Sequence, residues 1–215
     1  MDENMSPENE NQQEEIVIDL SKDKKDSMGN EIFEWVQAIV VALVVAMFLR
    51  TFVFTMVYVD GQSMEPTLHH AERMIVSRLG NDSLTYGDVV IFRPKYSPDT
   101  PYIKRVIATA GQEVSFDFEK GQVLVDGTAL DEPYIMDSID PDRFGNFNPY
   151  EKTSEIVPEG CIFVMGDNRN NSRDSRWDSV GMVSLEDVIG KAVVRVWPFN
   201  KIGTEFKLDN FILEK

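Results

Sequence analysis

Ala38 to Leu49 runs without a charged or polar side chain, and this segment constrains everything around it. Trp35 and Val36 extend it upstream. Phe52, Val53, Phe54, Met56, Val57 and Tyr58 extend it beyond Arg50 and Thr51. A helix needs about 20 mostly apolar residues to cross a bilayer. The segment reaches that length if Arg50 sits near the far interface and snorkels its guanidinium to the headgroups. The expectation is one transmembrane helix over residues 31–56; a long buried helix in a soluble domain is the alternative. A cleavable leader fits poorly, because the segment ahead is long and acidic and no Ala-x-Ala pair follows the run. Lys22, Lys24 and Lys25 precede the span and favour a cytoplasmic N-terminus. Arg50, Arg73 and Arg78 oppose them weakly, so the main domain is expected outside the cytoplasm at the cell membrane.

Charge narrows the function classes. The 215 residues carry a formal net charge of -16. Nucleic-acid binding requires a basic footprint and is not expected. Much of the acidity lies in the first thirty residues, among them Asp2, Glu3, Glu8, Glu10, Glu14, Glu15, Asp19, Asp23 and Asp26. With few apolar residues, 1–30 reads as a disordered tail. Cys161 is the single cysteine, so no intramolecular disulfide is expected. In Cys161-Ile162-Phe163-Val164-Met165 it reads as a small buried hydrophobe. Two histidines and one cysteine supply zinc poorly. Neither a metal nor a cofactor is implied.

After the anchor, short apolar runs alternate with turn residues. Met74 to Val76, Asp88 to Phe92, Ile103 to Ala108, Gln122 to Val125, Ile162 to Met165 and Ala192 to Trp197 are the clearest runs. This predicts a mostly β domain over 57–205, barrel-like or sandwich-like. Val123 to Thr128 reads as a strand entering an Asp-Gly turn. Asp131 to Pro158, rich in Pro, Asp, Asn and Tyr, reads as an irregular excursion, and 206–215 as a C-terminal tail. Ser184 to Gly190 reads as a short helical turn capped by Ser184.

Three polar segments carry candidate chemistry. Ser63 stands in Gly61-Gln62-Ser63-Met64-Glu65-Pro66, where Gly61 allows a sharp turn and Pro66 stiffens the exit. It is either an ordinary turn serine or an exposed nucleophile lacking a base. Lys104 stands in Tyr102-Ile103-Lys104-Arg105-Val106-Ile107. Strand alternation puts Tyr102, Lys104 and Val106 on one face and Arg105 on the other. A covered face would desolvate Lys104 and lower its pKa from about 10.4 by as much as 3–5 units; an uncovered one leaves a solvated lysine. His69 and His70 are the rival base but stand in a polar, turn-like stretch. The third segment is Gly166 to Arg176. A calcium loop fails, because Arg169 and Arg173 occupy ligand positions. Asp-Arg pairs and Asn side chains that satisfy one another fit it better.

These segments, with Tyr86 to Val90 and Ala110 to Val114, resemble bacterial type I signal peptidases (leader peptidases) over about Trp35 to Phe199. Single-span size resembles the Gram-positive form. The resemblance implies a serine protease of the Ser-Lys class that removes signal peptides from exported preproteins. It implies Ser63 as nucleophile, Lys104 as general base and Ser172 as the hydroxyl orienting the lysine. Asp174 and Arg176 are implied as a supporting ion pair, with Arg105 nearby and Gly166 small because it lies close to the lysine. Val57, Val59, Met64, Leu68, Tyr102 and Ile103 are implied as walls of a pocket for small side chains at the first and third positions before the cut. Two-span relatives carry a serine at the position of Gly61 that helps form the oxyanion hole. Here the Ser63 backbone N–H is the implied donor, and the second must come from water or a backbone group near Gly61. The implied partners are preprotein signal peptides and the lipid bilayer, with Phe52, Phe54, Trp197 and Phe199 as an apolar rim. A membrane-tethered, non-catalytic peptide-binding β domain is the alternative. A soluble self-cleaving repressor would need a DNA-binding N-terminal domain in place of the acidic segment and anchor.

Overall fold

The computed structural model describes residues 31–140, 142 and 154–206. The expected tail 1–30, positions 141 and 143–153 of the excursion, and 207–215 lie outside the described residues. The chain divides between Arg50 and Thr51 into two compact units.

Helix α1 spans Glu31–Val53, 23 residues, and none of its apolar window is buried. At 1.5 Å per residue it is about 34 Å long, enough for a hydrocarbon core of about 30 Å. The next element, strand β1 (Phe54–Tyr58), starts inside the segment assigned to the anchor by apolarity. Apolar character alone does not separate a helix end from a half-buried strand.

The second unit is mostly β, as expected. A seven-stranded sheet contains β1, β2 (Arg73–Ser77), β3 (Val89–Phe92), β4 (Tyr102–Thr109), β9 (Cys161–Met165), β10 (Val183–Ser184) and β11 (Val188–Trp197), in the order β1-β2-β11-β3-β4-β9-β10. A smaller sheet contains β5 (Glu113–Asp117), β6 (Gln122–Val125), β7 (Thr128–Ala129) and β8 (Ser154–Ile156), in the order β7-β6-β5-β8. Every recorded pairing is antiparallel. Strand β8 corrects the reading of residues 131–158 as irregular throughout: Ser154 to Ile156 pair with β5.

Burial follows strand alternation. All four residues of β3 are buried. Val89 and Ile91 join a core with Val59, Met64, Leu68 and Met74. Val90 and Phe92 join a second core with Val106, Ile162 and Val164 on the other face. A strand covered on both faces reads as a continuous apolar run, which is why Val89 to Phe92 shows no polar alternation. Ile107, Val114, Val123, Val125 and Phe163 form a third core that ties in the smaller sheet. The predicted Asp-Gly turn is present, with Asp126 at φ 51 and Gly127 at φ 76. Leu185–Asp187 forms a 3-10 turn in which Ser184 Oγ accepts from the Glu186 N–H. Cys161 is half-buried and packs against the third core.

Candidate active site

Ser63 lies in the connection between β1 and β2. The connection is closed at its base where Val59 N–H donates to Glu72 O at 2.9 Å and Ala71 N–H donates to Val59 O at 3.0 Å. Met64 and Leu68 sink into the core, at 2% and 0% exposure, and fix the turn from below. Gly61 adopts φ 96, the left-handed region that favours glycine. A second clamp comes from Asn168, whose N–H donates to Ser63 O at 3.1 Å and whose Nδ2 donates to Gln62 O at 3.2 Å. Sequence reasoning had no signal for Asn168, because the contact spans more than a hundred residues.

Lys104 enters from β4, where it pairs in register with Val90. Its face is covered, and only 4% of the residue is exposed. The ammonium nitrogen has two acceptors: Nζ donates to Ser63 Oγ at 2.7 Å and to Ile103 O at 2.9 Å. The Tyr102 ring, on the same strand face, lies 5.2 Å from Nζ. Burial lowers the Lys104 pKa from 10.5 to about 8, against the opposing pull of Asp174 and Asp167. Desolvation disfavours the ammonium because two neutral acceptors and distant carboxylates only partly replace the hydration it loses.

Arg105 goes to the other face, as strand alternation requires. Its Nε and Nη2 donate to Asp167 at 2.9 and 2.6 Å, and neither side chain is exposed. Its remaining donors meet Gly87 O and Phe206 O, and its guanidinium stacks 4.3 Å from the Tyr134 ring centre. Asp167 had no sequence signal beyond lying in a polar loop.

Strand pairing of Arg105 with Met165 brings the following residue, Gly166, beside Lys104. A Cβ on Gly166 would collide with Ser63 O and with the Ser172 side chain, so the close approach requires glycine. Gly166 N–H donates to Asp174 Oδ2 at 2.9 Å. Arg176 donates to both Asp174 oxygens at 2.7 Å. Burial pushes the Asp174 carboxyl up, but the Arg176 guanidinium and the Gly166 N–H outweigh it and hold the pKa below the usual carboxylate value. Ser172 Oγ is buried and lies close enough to Asp174 to favour its charged form, but it is not in hydrogen-bond geometry with any group among the described residues.

The expected self-contained network in Gly166 to Arg176 is only partly so. The Asp174–Arg176 pair is internal, whereas Asp167 bonds Arg105. Arg169 Nη1 reaches Glu132 Oε2 at 2.7 Å, and Tyr134 Oη donates to Glu132 Oε1 at 2.7 Å. Asn170 binds Ser138 O and the Asp140 N–H, both at 2.9 Å. The excursion after Asp131 therefore braces the site loop. Burial pushes the Tyr134 phenol up, so it stays neutral within this cluster.

A cavity of about 480 Å³ opens over Ser63 and Lys104. Val59, Met64, Tyr102 and Ile103 line it. Val57 packs behind with the core residue Leu68. Tyr58, Asp60, Thr100, Pro101, Asn171 and Arg173 also contribute, and none was anticipated. A second cavity of about 550 Å³ lies around Arg195 and Lys201. The arginines there are already paired, Arg195 with Glu72 and Glu205 and Arg105 with Asp167.

The histidines do not serve Ser63. His70 Nδ1 accepts from the Gly61 N–H at 3.3 Å and lies 3.3 Å from Asp60. His69 lies 3.7 Å from Glu72. With the Gly61 N–H committed to His70, that backbone donor is removed from the oxyanion question. The Ser63 N–H makes no hydrogen bond among the described residues.

Comparison with known proteins finds relatives over most of the chain. Residues 32–197 match a family described as "Signal peptidase, peptidase S26". Signal peptidase IB of Staphylococcus aureus (strain COL) is 33% identical over 197 residues, covering 85% of this chain and 98% of the relative. Signal peptidase I of Bacillus licheniformis is 34% identical over 191 residues, with the same coverage. A crystal structure of a signal peptidase I from Enterococcus faecalis V583 is 25% identical, with a TM-score of 0.41, covering 52% of this chain and 97% of that one.

Proposed function

This chain belongs to the signal peptidase family, peptidase S26, and is a membrane-associated serine endopeptidase that removes signal peptides; from that premise we propose that Ser63 is its nucleophile and neutral Lys104 its general base. The supporting observation is the 2.7 Å contact between Ser63 Oγ and a lysine that is 4% exposed. When Lys104 is neutral, the Ser63 O–H donates to its lone pair across the same distance.

Ser63 Oγ then attacks the scissile carbonyl while Lys104 takes its proton. The oxyanion receives the Ser63 N–H. Collapse breaks the C–N bond, and the Lys104 ammonium returns the proton to the leaving amine. Lys104, neutral again, deprotonates a water that hydrolyses the acyl-serine. Ile103 O holds one amine N–H, and Ser172 Oγ, a buried hydroxyl without a partner among the described residues, is the proposed acceptor for another. Asp174 with Arg176, Gly166, and Arg105 on the opposite face are proposed as the support that fixes Lys104. The apolar wall of Val59, Met64, Tyr102 and Ile103, backed by Val57 and Leu68, suits small side chains at the first and third positions before the cut. A peptide-binding-only alternative is left without support by membership in a peptidase family.

Activity is expected to depend on pH through Lys104. The active form is deprotonated, so kcat/KM should fall about tenfold per unit as pH drops below about 8 and level off above it. A pH–rate profile on a preprotein in detergent tests this, with N-terminal sequencing of the product. A limb near 10.5 would remove the desolvated base.

For the membrane, we propose a cytoplasmic N-terminus and an extracytoplasmic domain from residue 51 onward, on the lysines that precede the span. Phe54, Met56 and Tyr58 leave one face of β1 exposed, and Trp197 and Phe199 pack edge to face at 4.7 Å. Such aromatics suit a lipid interface. Protease added outside intact protoplasts should digest the domain; protection until lysis would reverse the orientation.

A further inference from the structure

Among the described residues, no carboxylate pairs with Arg173. Arg105, Arg169 and Arg176 each hold a carboxylate, at Asp167, Glu132 and Asp174. Among the described residues Arg173 holds none and is exposed. Its guanidinium lies 5.2 Å from the Trp177 ring and 5.8 Å from the Tyr96 ring. The Tyr96 hydroxyl bonds the Tyr102 hydroxyl, which ties this platform to β4. Aromatic stacking uses the flat face of a guanidinium and leaves its N–H edge available. Asn171 and Arg173 both line the cavity over Ser63, while Ser172 between them is buried. Asp60, Lys104 and Arg173 are the charged side chains on that cavity wall. With Lys104 neutral in the reactive form, Arg173 is the fixed positive charge.

We propose that Arg173 is a specificity-determining residue that receives a carboxylate side chain of the substrate beside the scissile bond. This rests on the peptidase reading above. An extended peptide alternates its side chains. If the first and third residues before the cut enter the apolar wall, the second residue before it and the first after it face away, toward polar surface. The chain carries a net charge of -16, which by itself disfavours an acidic peptide. Screening confines that repulsion to about 8–10 Å at ordinary salt, so a local cation decides the preference.

The test uses the full chain in detergent micelles and three matched peptides carrying Glu, Gln or Lys at both positions. Wild type should cleave the Glu peptide about 3- to 10-fold faster in kcat/KM than the Lys peptide, chiefly through KM. Arg173→Ala should abolish that ratio and Arg173→Glu invert it, and 0.5 M salt should flatten it in wild type. Equal rates on all three peptides in wild type, or a uniform loss in both variants, would overturn the inference and leave the peptidase reading intact. No cleavage of any peptide by wild type would sink the peptidase reading itself. Repeating the assay in phosphatidylcholine and phosphatidylglycerol vesicles covers lipid binding: a loss confined to anionic vesicles and blind to peptide charge would assign Arg173 to headgroups and overturn the proposal.

Discussion

Ser63→Ala and Lys104→Met should each lower kcat/KM for preprotein cleavage by about 10⁴-fold or more, as removal of a nucleophile or its base does in serine proteases. The two variants should then separate by stability. Lys104 titrates at about 8 in the fold against 10.5 ordinarily. Between those values the unfolded chain binds a proton that the folded chain does not, so wild-type stability rises with pH across that window. Below about pH 8 the buried ammonium carries the whole penalty, roughly 3 kcal/mol from the 2.5-unit difference. Lys104→Met removes it. The variant should be inactive yet more stable than wild type at pH 7, by about 1–3 kcal/mol, and should lack the rise between pH 8 and 10.5. Ser63→Ala should keep that rise. Thermal unfolding followed by near-ultraviolet circular dichroism, beside preprotein cleavage, reads both. Residual activity within tenfold of wild type in either variant would remove the dyad. A Lys104→Met protein less stable at every pH would remove the desolvation argument.

Asp167→Ala should be the most destabilising single change in the loop, by about 3–5 kcal/mol, or roughly 10²- to 10³-fold or more in the unfolding equilibrium. It strips the carboxylate from a guanidinium at 0% exposure, one that bonds it through Nε and Nη2. The Tyr134 ring does not replace a full negative charge. Lys120→Ala provides the contrast: Lys120 meets Asp117 at 3.0 Å with 71% of its side chain exposed, and water substitutes for the lost partner. Chemical denaturation should show a large midpoint shift for the first and little for the second. Similar midpoints would mean that the Arg105–Asp167 pair is not a structural tie.

Much of the fold was legible because its signals are local. The strands at Met74 to Val76, Asp88 to Phe92 and Ile103 to Ala108 were readable from apolar runs between turn residues. The Asp126-Gly127 turn and the Ser184 cap follow from backbone preferences of two or three residues. The end of α1 was less legible, since Phe54 and Met56 are as apolar as the helix before them. Strand β8 was hidden because Ser154-Glu155-Ile156 has little sequence character of its own and is ordered by pairing with β5.

The site divides along the same line. Sequence alone determined the candidates: a turn serine after an apolar span, a lysine amid strand residues, and an Asp-Arg-rich loop. Alternation alone put Lys104 and Arg105 on opposite faces. Tertiary structure decided that both faces are dry, which group stands 2.7 Å from Ser63, and that Arg105 answers to Asp167 rather than to the Asp174–Arg176 pair. It also decided that Asn168 clamps the serine turn, that Glu132 and Tyr134 brace the loop, and that Arg173 has no carboxylate partner among the described residues. The reason is physical. Propensity and alternation act over a few residues, but a lysine's proton affinity depends on what covers it, and that cover comes from strands and loops distant in the chain.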